Sequence, residues 1–122
     1  MILHIDDSPE IRELVNKLLG VYGYQVIQAE DGPSGLELIS QLKPSLVLLD
    51  LDMPGMSGWD VIKQIKADPN LSQIPVIAFT GSIVPSDRMQ LLAAGFDNFL
   101  TKPTSLVELL KIVKSHYPGD TP

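Results

Sequence analysis

The sequence predicts an α/β domain built on a parallel β-sheet, and two features of its 122 residues support this. Short apolar runs alternate with amphipathic stretches along the chain, which is typical of βαβ units. Two runs, residues 46–49 and 76–79, are apolar without alternation, as strands covered on both faces must be. These two runs therefore belong in the middle of the sheet. The five predicted strands are Ile2–Ile5, Tyr24–Ala29, Leu46–Leu49, Val76–Phe79 and Phe96–Leu100.

Five amphipathic stretches predict five helices that alternate with the strands. The first is the best marked, because residues 7–10 (Asp-Ser-Pro-Glu) supply a cap, a first-position proline and an acidic first turn. The second ends before Pro44, the third near Pro69, and the fourth is closed by Gly95. The apolar positions that mark the helices are Ile11, Leu14, Val15, Leu18, Leu19 and Tyr22; Leu36, Leu38, Ile39 and Leu42; Trp59, Val61, Ile62 and Ile65; Met89, Leu91, Leu92 and Ala93; and Leu106, Leu109, Leu110 and Val113.

Length and composition predict one domain over residues 1–117, followed by a short tail or linker stub at 118–122. The absence of cysteine excludes a disulfide framework and a cysteine–zinc site. Nine Lys and Arg residues against fifteen Asp and Glu residues give a net charge of −6. Because this charge repels nucleic-acid phosphates and anionic lipids, we expect no direct binding to nucleic acid or to a membrane.

The distribution of apolar residues bears on the compartment. The N-terminal run becomes acidic at Asp6, too early for a signal peptide, and no later apolar run approaches the ~20 residues of a membrane span. A cytoplasmic location is therefore expected.

Polar side chains follow four of the apolar runs. Asp6 and Asp7 follow the first run, Asp50 the third, Thr80 the fourth and Lys102 the fifth. Open parallel sheets bind ligands outside the carboxyl ends of their strands, so these side chains are expected at one rim. Taken singly, each has an ordinary interpretation as a helix cap, the start of a turn or a solvated lysine.

Three carboxylates at one rim repel one another and raise each other's pKa unless a cation lies among them. Lys102 supplies one positive charge. A cluster of hard oxygen ligands with no His or Cys also suits Mg²⁺. A carboxylate nucleophile, a divalent cation, an ammonium group and a hydroxyl are together the parts used in phosphoryl transfer.

On these residues the chain resembles the receiver domains of bacterial response regulators, of the stand-alone chemotaxis-regulator type. The resemblance implies a flavodoxin-like doubly wound (βα)5 fold with a five-stranded parallel sheet in the order 2-1-3-4-5. It covers the chain from Ile2 to Tyr117 and rests on Asp6-Asp7, on Asp50 to Pro54 with Gly58, on Thr80, and on Lys102-Pro103.

The resemblance implies a role for each acidic residue. Asp50 would accept a phosphoryl group from a sensor histidine kinase or a histidine phosphotransfer protein. Mg²⁺ would be held by Asp7, Asp50 and the backbone carbonyl of Asp52, while Asp6 would act through water. The side chain of Asp52 would then influence how long the phosphoryl group lasts.

The resemblance also implies how the added charge changes a surface. Thr80 and Lys102 would contact the phosphoryl group and move toward it. Phe99 would rotate from exposed to buried and alter the face formed by the fourth helix, fifth strand and fifth helix, which would control binding of a downstream protein. On periodicity alone, Phe99 could equally be a static core residue of an edge strand.

Three other functions compete with a phosphorylation switch that is not a turnover enzyme. Asp50-Leu51-Asp52 resembles the nucleophile motif of haloacid-dehalogenase-type phosphohydrolases, but in those enzymes the nucleophile follows the first strand. A flavodoxin-like FMN carrier needs a phosphate-binding loop where Asp6 and Asp7 would repel the phosphate. A receiver-like adaptor that is not phosphorylated is the third alternative, although every chemical residue is present.

Four features depart from the family pattern or are unassigned by it. His4 lies in a strand that is otherwise aliphatic, and we expect it to be a hydrogen-bonded core histidine. Gly81 follows Thr80 where alanine is common, which leaves room beside the phosphoryl group. Trp59 is expected to begin the third helix near the site and to serve in packing. Ile83 and Val84 would pack under their loop or face a partner.

Overall fold

The computed structural model describes residues 1–81, 85–102 and 104–118. Ile83, Val84, Pro103 and the end of the predicted tail (119–122) lie outside the described residues. The strands are β1 (Ile2–Ile5), β2 (Val26–Ala29), β3 (Leu46–Asp50), β4 (Val76–Thr80) and β5 (Asn98–Thr101). The helices are α1 (Pro9–Val21), α2 (Gly32–Leu42), α3 (Gly58–Ala67), α4 (Pro85–Ala94) and α5 (Leu106–His116).

All five strands are parallel and lie in the order β2-β1-β3-β4-β5, which confirms the expected fold. β3 and β4, which contain the two uninterrupted apolar runs, are buried at every position. β3 occupies the centre of the sheet with β1 and β4 on either side. The strands that end in Asp50 and Thr80 are therefore fixed by neighbours in the sheet and by helices on both faces.

Local signals explain where the helices begin. The Ser8 hydroxyl caps α1 by accepting a hydrogen bond from the amide of Ile11, and Pro9 occupies the first turn, as expected. In α3, Ser57 and Asp60 form a reciprocal capping box. Both caps lie at the end of the molecule where the strand termini carry polar residues.

Two strands begin later than the apolar runs predict. β2 begins at Val26 because the amide of Tyr24 still bonds to the carbonyl of Leu19 at the end of α1. β5 begins at Asn98 because the amide of Phe96 bonds to the carbonyl of Leu91 in α4. Tyr24 and Phe96 are buried in the core nonetheless, so the runs predicted burial more accurately than strand boundaries.

The core consists of one apolar cluster on each face of the sheet. Leu3 and Ile5 of β1 belong to the cluster under α2, α3 and α4, while Ile2 belongs to the cluster under α1 and α5. In α4, Leu91 is buried, but Met89 and Leu92 are exposed, so the helical spacing of these apolar residues did not predict a buried face. Among the described residues, no helix is both long enough and apolar enough to cross a bilayer.

Candidate functional site

The polar residues predicted at one rim do follow the carboxyl ends of the strands. Asp6 and Asp7 follow β1, Asp50 ends β3, Thr80 ends β4 and Lys102 follows β5. Asp6, Asp50 and Thr80 are buried, whereas Asp7 is exposed. The parallel arrangement thus brings together groups that are as many as 96 positions apart in the chain.

Lys102 joins the two buried carboxylates. Its Nζ atom lies 3.0 Å from Oδ2 of Asp6 and 3.2 Å from Oδ1 of Asp50. Burial alone would lower the pKa of this lysine, but the hydrogen bond to Asp6 and the charges of both carboxylates outweigh burial and raise it. The site therefore contains a fixed cation at neutral pH.

Asp6 is held in its charged form. Burial disfavours its charge, yet hydrogen bonding from neighbouring groups and the charge of Lys102 lower the pKa of Asp6 to about 2. Ser8 donates its backbone amide to Oδ1 at 2.9 Å. The guanidinium of Arg12 donates to the backbone carbonyl of Asp6 at 2.6 Å, and Nε2 of His4 lies 3.6 Å from Oδ2.

Asp50 behaves in the opposite way. Burial raises the pKa of Asp50 to about 6, and the charge of Asp6 adds to this effect. The amide of Asp52, which donates to Oδ1 of Asp50 at 3.0 Å, and the ammonium of Lys102 offset it only in part. The positive charge and hydrogen bonds around Asp50 thus do not offset its burial and the charge of Asp6, so its charged form is destabilised.

The carboxylates of Asp6, Asp7 and Asp50 converge closely enough to hold a metal ion. One oxygen from each lies within 4.8 Å of the others. Three hard oxygen donors without nitrogen or sulfur among them match the preference of Mg²⁺. The side chain of Asp52 points elsewhere, because its Oδ2 atom accepts the amide of Gly81 at 3.4 Å.

Gly58 allows α3 to begin directly against the end of β3. A methyl group at this position would lie 2.6 Å from the carbonyl oxygen of Asp50 and 2.8 Å from Cα of Leu51. Only glycine permits this approach without displacing the backbone that carries Asp50. By contrast, a methyl group at Gly81 would meet no atom of the non-adjacent described residues within 4 Å, so these residues leave room beside this part of the rim.

A cavity of about 270 Å³ opens beside Thr80. Trp59 lies in its wall, in the first turn of α3 as expected, and packs edge-to-face against Phe96 with ring centroids 5.9 Å apart. The cavity therefore lies directly beside the end of β4, at the edge of the site. Its lining residues are Leu51, Asp52, Trp59, Thr80, Asp87, Gln90 and Leu91.

Phe99 lies on edge strand β5, opposite Ala78 of β4, and is half-buried against the core. The guanidinium of Arg88 in α4 lies 5.2 Å from the centre of its ring, a cation–π distance. Phe99 therefore lies between the sheet and an exposed residue of α4.

Sequence reasoning missed the contacts that Arg12 and His4 make with Asp6. A signal for Arg12 was available, since a cation in the first turns of a helix opposes the helix dipole and needs a local partner. His4 was expected to be hydrogen-bonded, and this was wrong within the described part of the chain, because neither ring nitrogen has a hydrogen-bond partner there. Hydrogen-bond partners across a sheet are not readable from a linear pattern.

Solved structures of known proteins are similar to this chain in fold. The structure of chemotaxis protein CheY4 from Vibrio cholerae superposes with a TM-score of 0.89 at 28% identity, covering 94% of this chain and 96% of that one. The receiver domain of a sensor histidine kinase from Pseudomonas aeruginosa, solved with a magnesium ion coordinated in its active site cleft, gives a TM-score of 0.87 at 27% identity and covers 97% of each chain.

Sequence comparison agrees with the structural likeness. Protein PilH of Pseudomonas aeruginosa is 36% identical over 118 residues, which are 97% of this chain and 98% of PilH. The transcriptional regulator RpaA of Synechocystis is 40% identical over 114 residues, which are 93% of this chain but only 47% of that regulator. The model of the response regulator receiver domain matches residues 2–114. The chain belongs to the response regulator receiver family, whose members are phosphorylation-dependent signalling switches.

Proposed function

We propose that Asp50 is the residue that accepts the phosphoryl group. The observation that carries this proposal is the position of Asp50, which is buried next to Lys102. Burial and the charge of Asp6 destabilise its charged form despite that contact. An oxygen of Asp50 forms a bond to phosphorus as the donor's phosphorus–nitrogen bond breaks, and the donor nitrogen keeps the electron pair. Lys102 stabilises the phosphoryl oxygens.

We infer that Mg²⁺ is the cofactor of this reaction. Asp7, Asp50 and the backbone carbonyl of Asp52 would hold the ion directly, and Asp6 would contact it through water. When bound, the ion would neutralise charge on the phosphoryl oxygens. The convergence of three carboxylates supports this assignment, as does the magnesium ion named for the similar receiver domain from Pseudomonas aeruginosa.

We propose that Thr80 and Phe99 convert phosphorylation into a change of surface. Phosphorylation replaces one negative charge at Asp50 by about two and adds acceptor oxygens. The Thr80 hydroxyl moves toward them, and Phe99 turns inward beneath α4. The half-buried position of Phe99 at the edge of the sheet, against Arg88, supports a ring with two accessible orientations.

The proposed partners follow from this chemistry. A sensor histidine kinase or a histidine phosphotransfer protein donates the phosphoryl group, and a downstream protein binds the α4-β5-α5 face. The net charge of −6 supports a protein partner rather than nucleic acid or an anionic membrane. We place this activity in the cytoplasm and assign residues 1–117 to the receiver domain. Asp52 modifies the lifetime of the phosphoryl group. The domain is not a turnover enzyme.

Phosphorylation can be tested with a small phosphodonor. Incubation with acetyl phosphate and Mg²⁺ should give one phosphoryl adduct, stable to acid and labile to base, by intact-mass spectrometry. Asp50→Asn should abolish the adduct, whereas Asp52→Asn should retain it with a changed lifetime, because Asp52 is not the nucleophile.

Other outcomes would support the competing functions. Continued turnover of many phosphate esters per protein molecule would indicate a phosphohydrolase. Absence of any adduct in the unaltered protein would indicate an adaptor that works without phosphorylation.

Phe99 can be tested separately from the chemistry. Phe99→Ala should leave the rate of adduct formation within about twofold, because the ring packs against Arg88 and the apolar core. Methyl NMR resonances of Leu91 and Leu100 should shift on phosphorylation in the unaltered protein and shift much less in Phe99→Ala. Equal shifts in both proteins would refute the switch role.

A further inference from the structure

His4 is a buried polar side chain with an unmet hydrogen-bonding capacity. It lies in β1 with no exposed surface, and within the described chain neither Nδ1 nor Nε2 has a hydrogen-bond partner. A buried polar group without a partner costs about 1–3 kcal/mol, which an aliphatic residue would avoid. The ring packs against Phe79, with centroids 5.9 Å apart, so it fills the space that an aliphatic residue would fill.

The unused nitrogen points to one oxygen of the functional site. Nε2 of His4 lies 3.6 Å from Oδ2 of Asp6, which is too long for a hydrogen bond. The same oxygen already accepts the ammonium of Lys102 at 3.0 Å. Oδ2 of Asp6 thus lies near both Lys102 and Nε2 of His4, but it accepts a hydrogen bond only from Lys102.

We propose that His4 is a positioning residue that takes over Oδ2 of Asp6 when Lys102 turns to the phosphoryl group. The imidazole stays neutral, carries its proton on Nε2, and shortens its contact to a hydrogen bond. No proton is transferred. This inference rests on the proposed function of Lys102 and Asp50.

The physical reason is the burial of Asp6. Its carboxylate is fully buried, and the departure of the ammonium would leave Oδ2 without a direct hydrogen-bond donor, while the amide of Ser8 still donates to Oδ1. A movement of less than about 1 Å brings Nε2 within the usual 2.7–3.2 Å range of an N–H donor. Burial also lowers the pKa of His4, in keeping with a neutral ring. His4 would therefore reduce the free energy needed to redirect Lys102.

The tautomer of His4 tests the proposal directly. Proton–nitrogen NMR of the unaltered protein should show His4 with hydrogen on Nε2. Adding Mg²⁺ and beryllium fluoride, a phosphoryl mimic, should move this proton downfield as the hydrogen bond to Asp6 forms. A proton on Nδ1, or an Nε2 proton that does not respond, would overturn the proposal.

Two substitutions separate the donor from its volume. His4→Leu fills the space without a donor, and His4→Gln places an amide NH₂ near the position of Nε2. Fluorine NMR titration should show beryllium fluoride bound about tenfold more weakly by His4→Leu and within about threefold of normal by His4→Gln. Ile2→Val, in the same strand and equally buried, should bind normally, with thermal unfolding used to confirm that each variant folds.

The outcomes distinguish this proposal from the proposed function. Normal beryllium fluoride binding by His4→Leu, or equal weakening in the Leu and Gln variants, would overturn the role of His4 and leave Asp50 as the acceptor. Failure of the unaltered protein to bind the mimic or to form the Asp50 adduct would overturn both.

Discussion

The pKa values of two neighbouring carboxylates in this site are shifted in opposite directions, although both carboxylates are buried. The backbone amide of Ser8, the ammonium of Lys102 and the nearby imidazole of His4 stabilise charged Asp6 and lower its pKa to about 2, despite burial. Asp50 accepts the amide of Asp52 and lies near Lys102, but burial and the charge of Asp6 outweigh these contacts and raise its pKa to about 6. The residue with the less stable charge is the one that gains most from a cation or from covalent modification.

Removal of the Asp50 charge should therefore stabilise the metal-free protein. Because its pKa is raised from 3.8 to about 6, stabilisation by protonated Asp50 is present below about pH 4 and is lost as pH rises through 6. With a chelator present, Asp50→Asn should exceed the unaltered protein in free energy of unfolding by about 1–3 kcal/mol at pH 8. Urea unfolding at pH 4, 6 and 8 measures this.

The comparison between pH values supplies the control. At pH 4 the two proteins should have nearly the same stability, because Asp50 is then protonated. A constant difference at all three pH values would contradict the electrostatic explanation.

At the level of elements, helices α1 and α3 begin next to the carboxyl ends of β1 and β3 and thereby position the acidic residues. α1 begins directly after Asp6 and Asp7, and its Arg12 bonds back to the carbonyl of Asp6. α3 begins at Gly58, whose backbone packs against the end of β3. Two helices thus fix the backbone next to the acidic residues.

Gly58→Ala should destabilise the protein because the added methyl group meets backbone atoms of Asp50 and Leu51 at 2.6 and 2.8 Å. We expect a loss of about 1–3 kcal/mol in the free energy of unfolding. Gly20→Ala is the matched control, since Gly20 lies in α1 and a methyl group there meets nothing within 4 Å in the described residues outside its own helix turn. That variant should be unchanged or up to about 1 kcal/mol more stable. Equal effects of the two substitutions would refute the steric interpretation.

At the scale of the whole molecule, the sheet carries a polar group within its apolar core. His4 lies among the buried residues of β1, near Asp6, Lys102 and Arg12. Burial lowers its pKa, and the two cations lower it further, while Asp6 opposes these effects. The folded state therefore prefers the neutral ring, whereas the unfolded chain can protonate it.

This preference should appear in the acid stability of the whole domain. The stability that the neutral ring contributes to the folded state is present above pH 6.5. It is lost as pH falls below 6.5, because the unfolded chain then binds a proton that the folded state does not. His4→Leu should become more stable relative to the unaltered protein as pH falls below 6.5, measured by urea unfolding with a chelator. Ile2→Val should follow the pH dependence of the unaltered protein, and a parallel course for His4→Leu would contradict the prediction.

The sequence by itself determined the alternation of strands and helices, the burial of β3 and β4, and the set of residues at the carboxyl ends of the strands. These follow from local patterns: apolar runs, caps such as Ser8, and polar residues placed directly after each run. The strand order came from resemblance to a family rather than from pattern, because local periodicity does not specify which strands pair.

The tertiary structure decided what the linear pattern leaves open. It placed Lys102 between Asp6 and Asp50, directed Arg12 to the carbonyl of Asp6, and left His4 beside Oδ2 without a hydrogen bond. It also made Met89 and Leu92 exposed despite their helical spacing. The reason is that pKa values, partners and burial depend on distances of a few ångströms between groups far apart in the chain, and only the packed sheet sets those distances.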